Sequence, residues 1–317
     1  MRVGVWIAAV LLAGVADVFD RDRLGGALLS TAGPFITLAI VISAGSLCDH
    51  LGLFRVMAKT FIPTCWSGWR AFAAALAFTA VLSGLVNLDV AVVIAMPVAI
   101  DVAARNDLPG GWMAVSVALT ANATSFLLPT SNVTTLLVLS RSSIAPLSYV
   151  HESWLAWFMV AVPTVLGLAA VLAPRSEAGR PTGPIRGGRG GALVDLPPMC
   201  VAASAVRALL GRSLVARGGF ATQAARLSVL AAAVNNLPAA AALRTIGSAS
   251  RWAAVLAMAI GPNLLLSGSI ATLICRRIAL ERGVRLTAAR LTVAGLALVP
   301  AQLLLATIGL RLTGAIR

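Results

Sequence analysis

Runs of about 18–25 apolar residues recur from one end of this chain to the other, and each is long enough to cross roughly 30 Å of hydrocarbon as a helix. Hydrocarbon offers no partner to a free backbone N–H or C=O, so segments of this kind become α-helices with every bond closed internally. Of the 317 residues, 59% are hydrophobic and only 11% are charged. A water-soluble domain of this length needs more polar residues to cover its core. The expected fold class is an all-α polytopic membrane protein.

Apolar runs set against charged punctuation place spans at 3–19 and 25–48, then a short amphipathic piece, LGLFRVMAKTF, at 51–61. Arg55 and Lys59 stand one turn apart there, as in a helix lying at the interface. Longer runs follow at 71–100, interrupted near Asn87, and at 112–139, interrupted near Pro129, with a further span at 153–173. After these comes a stretch rich in Gly, Pro and Arg that cannot pack and reads as a flexible linker. Beyond it lie a short span near 198–210, interrupted runs at 221–246 and 252–275, and a last span at 291–310. The division is a first transmembrane repeat at 1–173, a linker at 174–196 and a second, shorter repeat at 197–317. VGVWIAAVLLAGVADVF at 3–19 has the length of a signal peptide but lacks a small-residue cleavage site, so a retained first helix is expected.

The net charge of +14 is almost all arginine. In a soluble protein it points to nucleic acid, but here the arginines lie in loops between spans, where basic residues collect on the cytoplasmic side. Arg175, Arg180, Arg186 and Arg189 place the linker there, and the basic stretch CRRIALERGVRLTAAR between the last two spans is placed there too. No nucleic-acid partner is expected. Cys48, Cys65, Cys200 and Cys275 are far apart, without disulfide or zinc spacing. His50 and His151 fall at loop edges, and no resident metal or cofactor is expected.

The organising feature is an internal repeat. LSGLVNLDVAVV at 82–93 precedes the linker and LAAAVNNLPAAA at 230–241 follows it, each setting Val-Asn inside an apolar run, at Asn87 and Asn235. Further along, TSNVTTL at 130–136 is matched by SGSIATL at 267–273. The same two polar breaks thus occur in the same order in each half. Transporters are often built from two inverted repeats whose broken helices meet near the bilayer midplane and hold substrate and ions there. LLPTSNVTTLLVL at 127–139 and GPNLLLSGSIATL at 261–273 then read as two halves of a substrate cradle.

Candidate substrate-binding residues in the first half are Asn87, Asn122, Ser131, Asn132, Thr134 and Thr135, with Ser125 beside them. In the second they are Asn235, Asn236, Asn263, Ser267, Ser269 and Thr272. Pro129, Gly261, Pro262 and Gly268 permit the breaks. Hydroxyls, carboxamides and unwound amides can hold an anion, a neutral polyhydroxy species or a cation. The alternative role for such residues is tight helix–helix packing. Most of the acidic residues lie in loops or near span ends, whereas Asp89 falls inside a run. A carboxylate within a membrane is costly and marks function by default; it is the candidate proton carrier, with Asn87 placed to orient it. Its alternative role is to cap backbone N–H groups near a helix break. No fixed cation accompanies the polar triplets, which favours a neutral solute over a multivalent anion. Arg207, in the short span, either snorkels or faces the cavity.

At VNNLPA (234–239), GPNLLLSGSIATL, NLDVAVVIAMPV (87–98), ANATSFLLPTSNVTTLLV (121–138) and LGLFRVMA (51–58) the chain resembles the arsenite/antimonite efflux permeases of the ArsB type. These belong to the ion transporter superfamily, with sodium/proton antiporters of the NhaD type and citrate or dicarboxylate carriers. The resemblance implies two repeats with discontinuous helices and re-entrant hairpins, and export of As(OH)3 or Sb(OH)3 against protons. Leu88 stands where the family often has a second Asn, and Leu265-Leu266 where it has Thr-Pro. The second half lacks a counterpart of the 3–19 span, which leaves about nine or ten spans.

The functional expectation is a secondary active transporter of the plasma membrane, not an enzyme: proton-coupled efflux of arsenite, antimonite or a related small anion. The alternatives are a sodium-coupled citrate or dicarboxylate carrier, a sodium/proton antiporter, or an inactive shortened permease. Proton or sodium is the coupling ion, and the lipid bilayer and a small anion or metalloid are the partners. A homodimer is compatible with this reading. No GxxxxGK[ST] motif is present, so any ATP drive needs a separate ATPase subunit.

Overall fold

The computed structural model describes residues 68–140, 142, 144–174, 219–243 and 248–316, together with isolated positions between 36 and 56. Apart from those isolated positions, the spans expected at 3–19 and 25–48, the amphipathic piece, nearly all of the linker, and the span near 198–210 with Arg207 lie outside the described residues.

Ten α-helices are described. In the first half they are α1 (Gly68–Leu85), α2 (Leu88–Arg105), α3 (Gly110–Ala123), α4 (Val133–Leu139) and α5 (Pro146–Leu172). In the second they are α6 (Phe220–Val234), α7 (Asn236–Ala242), α8 (Ser248–Ile260), α9 (Ile270–Glu281) and α10 (Ala288–Leu312). A single turn of 3-10 helix follows α3, at Pro129–Ser131, and another follows α8, at Gly261–Leu264. Among the described residues there is no strand. α1, α5 and α10, of 18, 27 and 25 residues, are long and apolar enough to cross a membrane, and the protein is an all-α polytopic membrane protein.

The two interruptions in each half differ in kind. α1 and α2 pack side by side, as do α6 and α7, so Asn87 and Asn235 sit at the tips of hairpins rather than within straight spans. α3 and α4 do not pack along one another, nor do α8 and α9; each pair is one discontinuous helix with an irregular segment between its parts. Each half therefore runs hairpin, discontinuous helix, long helix. The runs 71–100 and 221–246, expected as interrupted spans, fold back because an Asn break lets two apolar helices bury their faces on each other.

The halves interlock. α9 lies against α2 and α3, while α4 lies against α7 and α8, so exchanging the halves maps one set of contacts onto the other. α5 and α10 pack together behind them. At that seam Gly309 meets the Ala156 backbone so closely that a Cβ would overlap it, the small-residue contact typical of membrane helices. Gln302 Nε2 donates to Thr164 Oγ1 across the same seam at 3.0 Å.

Two boundaries differ from expectation. α5 begins earlier than 153, with Pro146 supplying a preset first turn. α9 continues through Arg276 and Arg277 to Glu281, where a basic loop was expected. Ala271, Thr272, Cys275 and Ala279 are its buried residues; their three- and four-residue spacing keeps one face packed while the arginines stay exposed.

Candidate functional site

Each hairpin tip is tied to the discontinuous helix of its own half. Asn87 Oδ1 accepts the Asp89 backbone N–H at 3.0 Å, and its Nδ2 donates to the Thr130 carbonyl at 3.1 Å. Asn235 Oδ1 accepts the Leu237 N–H at 3.2 Å, and its Nδ2 donates to the Ser267 carbonyl at 2.9 Å. Thr130 and Ser267 are matched positions in TSNVTTL and SGSIATL, so the sequence repeat persists as a repeated pair of hydrogen bonds.

The second tip is the tighter. Asn235 has φ 77° and ψ 142°, a region that costs a non-glycine residue about 1–3 kcal/mol. Its two side-chain bonds hold it there, and the Asn236 N–H adds a bond to the Gly268 carbonyl at 2.8 Å. Gly268 lies against the Pro262 backbone, where a Cβ would overlap the carbonyl.

α2, α4, α7 and α9 all begin at one place, each with a polar cap that satisfies a free N–H of its first turn. Asn87 and Asn235 cap α2 and α7. Asn132 Oδ1 accepts the Thr134 N–H at 3.0 Å and the Thr134 hydroxyl at 2.9 Å, while its Nδ2 donates to Ser125 Oγ at 3.0 Å. Ser269 Oγ accepts the Ala271 N–H at 3.2 Å. Between these helix starts lies a small cavity of about 20 Å³. The first half lines it with Leu88, Asp89, Asn132, Val133 and Thr134, and the second with Asn236, Leu237, Ser269 and Ile270. The gap is narrow and admits a water-sized solute. Helix N-termini carry partial positive charge and favour anions or electron-rich oxygens.

Among the described residues, Asp89 is the one ionisable residue on the cavity wall, and no Lys or Arg lines it. Among the described residues its carboxylate has neither a hydrogen-bond partner nor an ion pair. Asn87 bonds the Asp89 backbone rather than its carboxylate, so the tip fixes where the acid sits and leaves the acid itself free.

Of the residues singled out in the sequence, Asp89, Asn132, Thr134, Asn236 and Ser269 line the cavity. Asn122, Asn263 and Thr272 do not; they form a buried clasp between the halves. Asn122 Nδ2 donates to Asn263 Oδ1 at 3.1 Å and to Thr272 Oγ1 at 2.9 Å, and Asn263 Nδ2 donates to the Leu119 carbonyl at 2.9 Å. Ser131 is folded onto the Leu128 backbone, its hydroxyl donating to the Leu128 carbonyl at 2.6 Å. Ser267 is exposed and contributes its carbonyl, not its hydroxyl. Thr135 is buried with no partner for its hydroxyl. Its counterpart Thr272 is met by Asn122, but in the second half Ala259 stands where Asn122 would be.

Sequence reasoning missed the apolar wall of Leu88, Val133, Leu237 and Ile270, although each immediately follows one of the caps or stands one place beyond it. It also missed two ion pairs that join the halves. Arg251 Nη2 meets Glu152 Oε2 at 3.0 Å, and the Trp252 indole N–H donates to the same oxygen at 2.7 Å. Trp252 stacks on Tyr149, with ring centroids 4.8 Å apart. Arg282 Nη1 meets Asp101 Oδ1 at 2.7 Å. Arg282 lies just before α10, whereas Thr313, the C-cap of α10, donates to the Glu152 carbonyl at 3.0 Å. The two ion pairs therefore mark opposite ends of a 25-residue span.

No curated protein matches the chain. The family model described as Citrate transporter matches residues 1–316, and this match covers both hairpins, both discontinuous helices and every residue of the cavity. The chain belongs to the citrate transporter family and is a permease of the ion transporter superfamily, a secondary transporter by family.

Proposed function

We propose that the protein is a proton-coupled secondary transporter that exports a small oxygen-rich solute, arsenite or antimonite or a related small anion, through the cavity at the four helix starts. The observation that carries this reading is the composition of that cavity among the described residues: capped helix N-termini, hydroxyl and carboxamide groups, a single carboxylate and no base. Neutral trihydroxides suit such a lining, because hydroxyl and carboxamide groups can both donate to and accept from them. Asp89 takes up the proton on one side of the membrane and releases it on the other. A solute larger than water requires the hairpin tips at Asn87 and Asn235 to move.

The family match supports a second reading, a sodium-coupled citrate or dicarboxylate carrier. With a carboxylate and, among the described residues, no arginine or lysine on the wall, a polycarboxylate has to enter with its own cations, because a buried like-charge pair is strongly unfavourable. Sodium dependence is then obligatory.

The full chain in proteoliposomes separates the two. Arsenite and citrate fluxes are measured under an imposed proton gradient, then under an imposed sodium gradient. Arsenite flux driven by protons and indifferent to sodium supports the first reading, and citrate flux that requires sodium replaces it with the second.

A further inference from the structure

The two halves build the cavity from matched positions, which allows one half to serve as the control for the other. VNLD at 86–89 aligns with VNNL at 234–237, so Asp89 and Leu237 occupy the same place in their hairpins. Each lies two residues beyond a capping Asn whose Oδ1 accepts its backbone N–H. Both face the same cavity. One carries a carboxylate and the other a hydrocarbon side chain.

Among the described residues, the helices packed on α2 bring no second carboxylate to Asp89. α2 is packed by α1, α3 and α9. α3 holds no ionisable residue, and on α1 the one such residue is Arg70, near the end far from the tip. On α9, Cys275 is buried, Arg276 and Arg277 are exposed, and Glu281 pairs with Arg277 at 3.0 Å.

We propose that the carrier moves one proton per solute, a stoichiometry set by the presence of Asp89 and the absence of a carboxylate at Leu237. The inference rests on the proton-coupled reading above and specifies its count. Asp89 takes a proton from water on one side, holds it as the neutral acid while the cavity changes access, and returns it to water on the other. No bond of the solute is made or broken. With an uncharged solute, each cycle moves one positive charge opposite to the solute.

The test is a zero-flux measurement on the full chain in proteoliposomes, with the membrane potential clamped and arsenite as the probe. A tenfold proton gradient is expected to balance about a tenfold opposing solute gradient, since equal ratios represent equal free energies for a one-to-one exchange. Leu237→Asp raises the balancing ratio towards about a hundredfold, by adding a second titrating site on the same wall. Asp89→Asn removes the dependence on the proton gradient while solute still equilibrates. A wild-type ratio near a hundredfold overturns the one-proton count and leaves proton coupling standing. Solute flux indifferent to the proton gradient in the wild type overturns the count and the proton-coupled reading together.

Discussion

Asn87 donates its side-chain amide to the Thr130 carbonyl at 3.1 Å, closing the tip of the first hairpin onto the irregular segment of the first discontinuous helix. Asn235 makes the same closure in the second half, to Ser267 at 2.9 Å. Each Asn thereby serves as a helix cap and as a strap, and the two roles are separable by substitution.

At the first tip, Asn87→Asp keeps the cap acceptor and loses the strap donor, whereas Asn87→Ala loses both. Loss of the cap costs about 0.5–2 kcal/mol. Thermal unfolding in detergent is expected to rank wild type above Asn87→Asp and Asn87→Asp above Asn87→Ala. Equal stability of the two variants contradicts a capping role.

At the second tip, glycine accepts φ 77° without the strain that Asn235 bears. Asn235→Gly is expected to lose less stability than Asn235→Ala by about 1 kcal/mol, read from the same unfolding curves. At Asn87, whose backbone is extended, glycine keeps only its ordinary N-cap preference over alanine, and a smaller advantage is expected.

The clasp at Asn122 predicts coupling across the halves. A double-mutant cycle between Asn122→Ala and Thr272→Val should give an interaction free energy of about 0.6 kcal/mol, with a ceiling of about 2 kcal/mol. The same cycle with Thr135→Val in place of Thr272→Val should give none, because the Thr135 hydroxyl has no partner.

The two inter-half ion pairs should differ in worth. The Arg251 and Glu152 side chains are 9% and 24% exposed, whereas Asp101 of the other pair is 57% exposed. Arg251→Ala strands the Glu152 carboxylate beside Trp252 and should cost several kcal/mol, about 3–5 for a fully buried pair. Arg282→Ala should cost about 1 kcal/mol or less. Unfolding midpoints that reverse this order contradict the burial pattern.

The membrane class was legible because apolar length alone dictates helices in hydrocarbon, and the repeat was legible because an Asn inside an apolar run has few neutral explanations. The distinction between a hairpin and a collinear break was not. Asn87 and Asn132 are both caps at polar interruptions, and only the packing of α1 on α2 makes one of them a reversal. Asn122 and Asn132 were indistinguishable as clustered carboxamides. One turned to meet Asn263 because α9 and the 3-10 turn of the second half lie against α3, a contact between residues 141 positions apart. Glu152 and Arg251, 99 positions apart, looked like loop-edge charges because nothing local announces a long-range pair. The helical extent of α9 was hidden for a related reason: Arg276 and Arg277 sit on the exposed face of a helix whose other face is buried.

Single-site changes on facing walls test most directly whether one solute is held by both halves. Thr134→Val removes a hydroxyl from the first wall, and Ser269→Gly removes one from the second with little loss of capping, a few tenths of a kcal/mol. The half-saturating solute concentration for flux in proteoliposomes is predicted to rise about fivefold in each variant, roughly one lost hydrogen bond, and by a non-additive amount in the double variant. A rise confined to variants of one half, with the other at wild-type affinity, contradicts a site shared between the repeats.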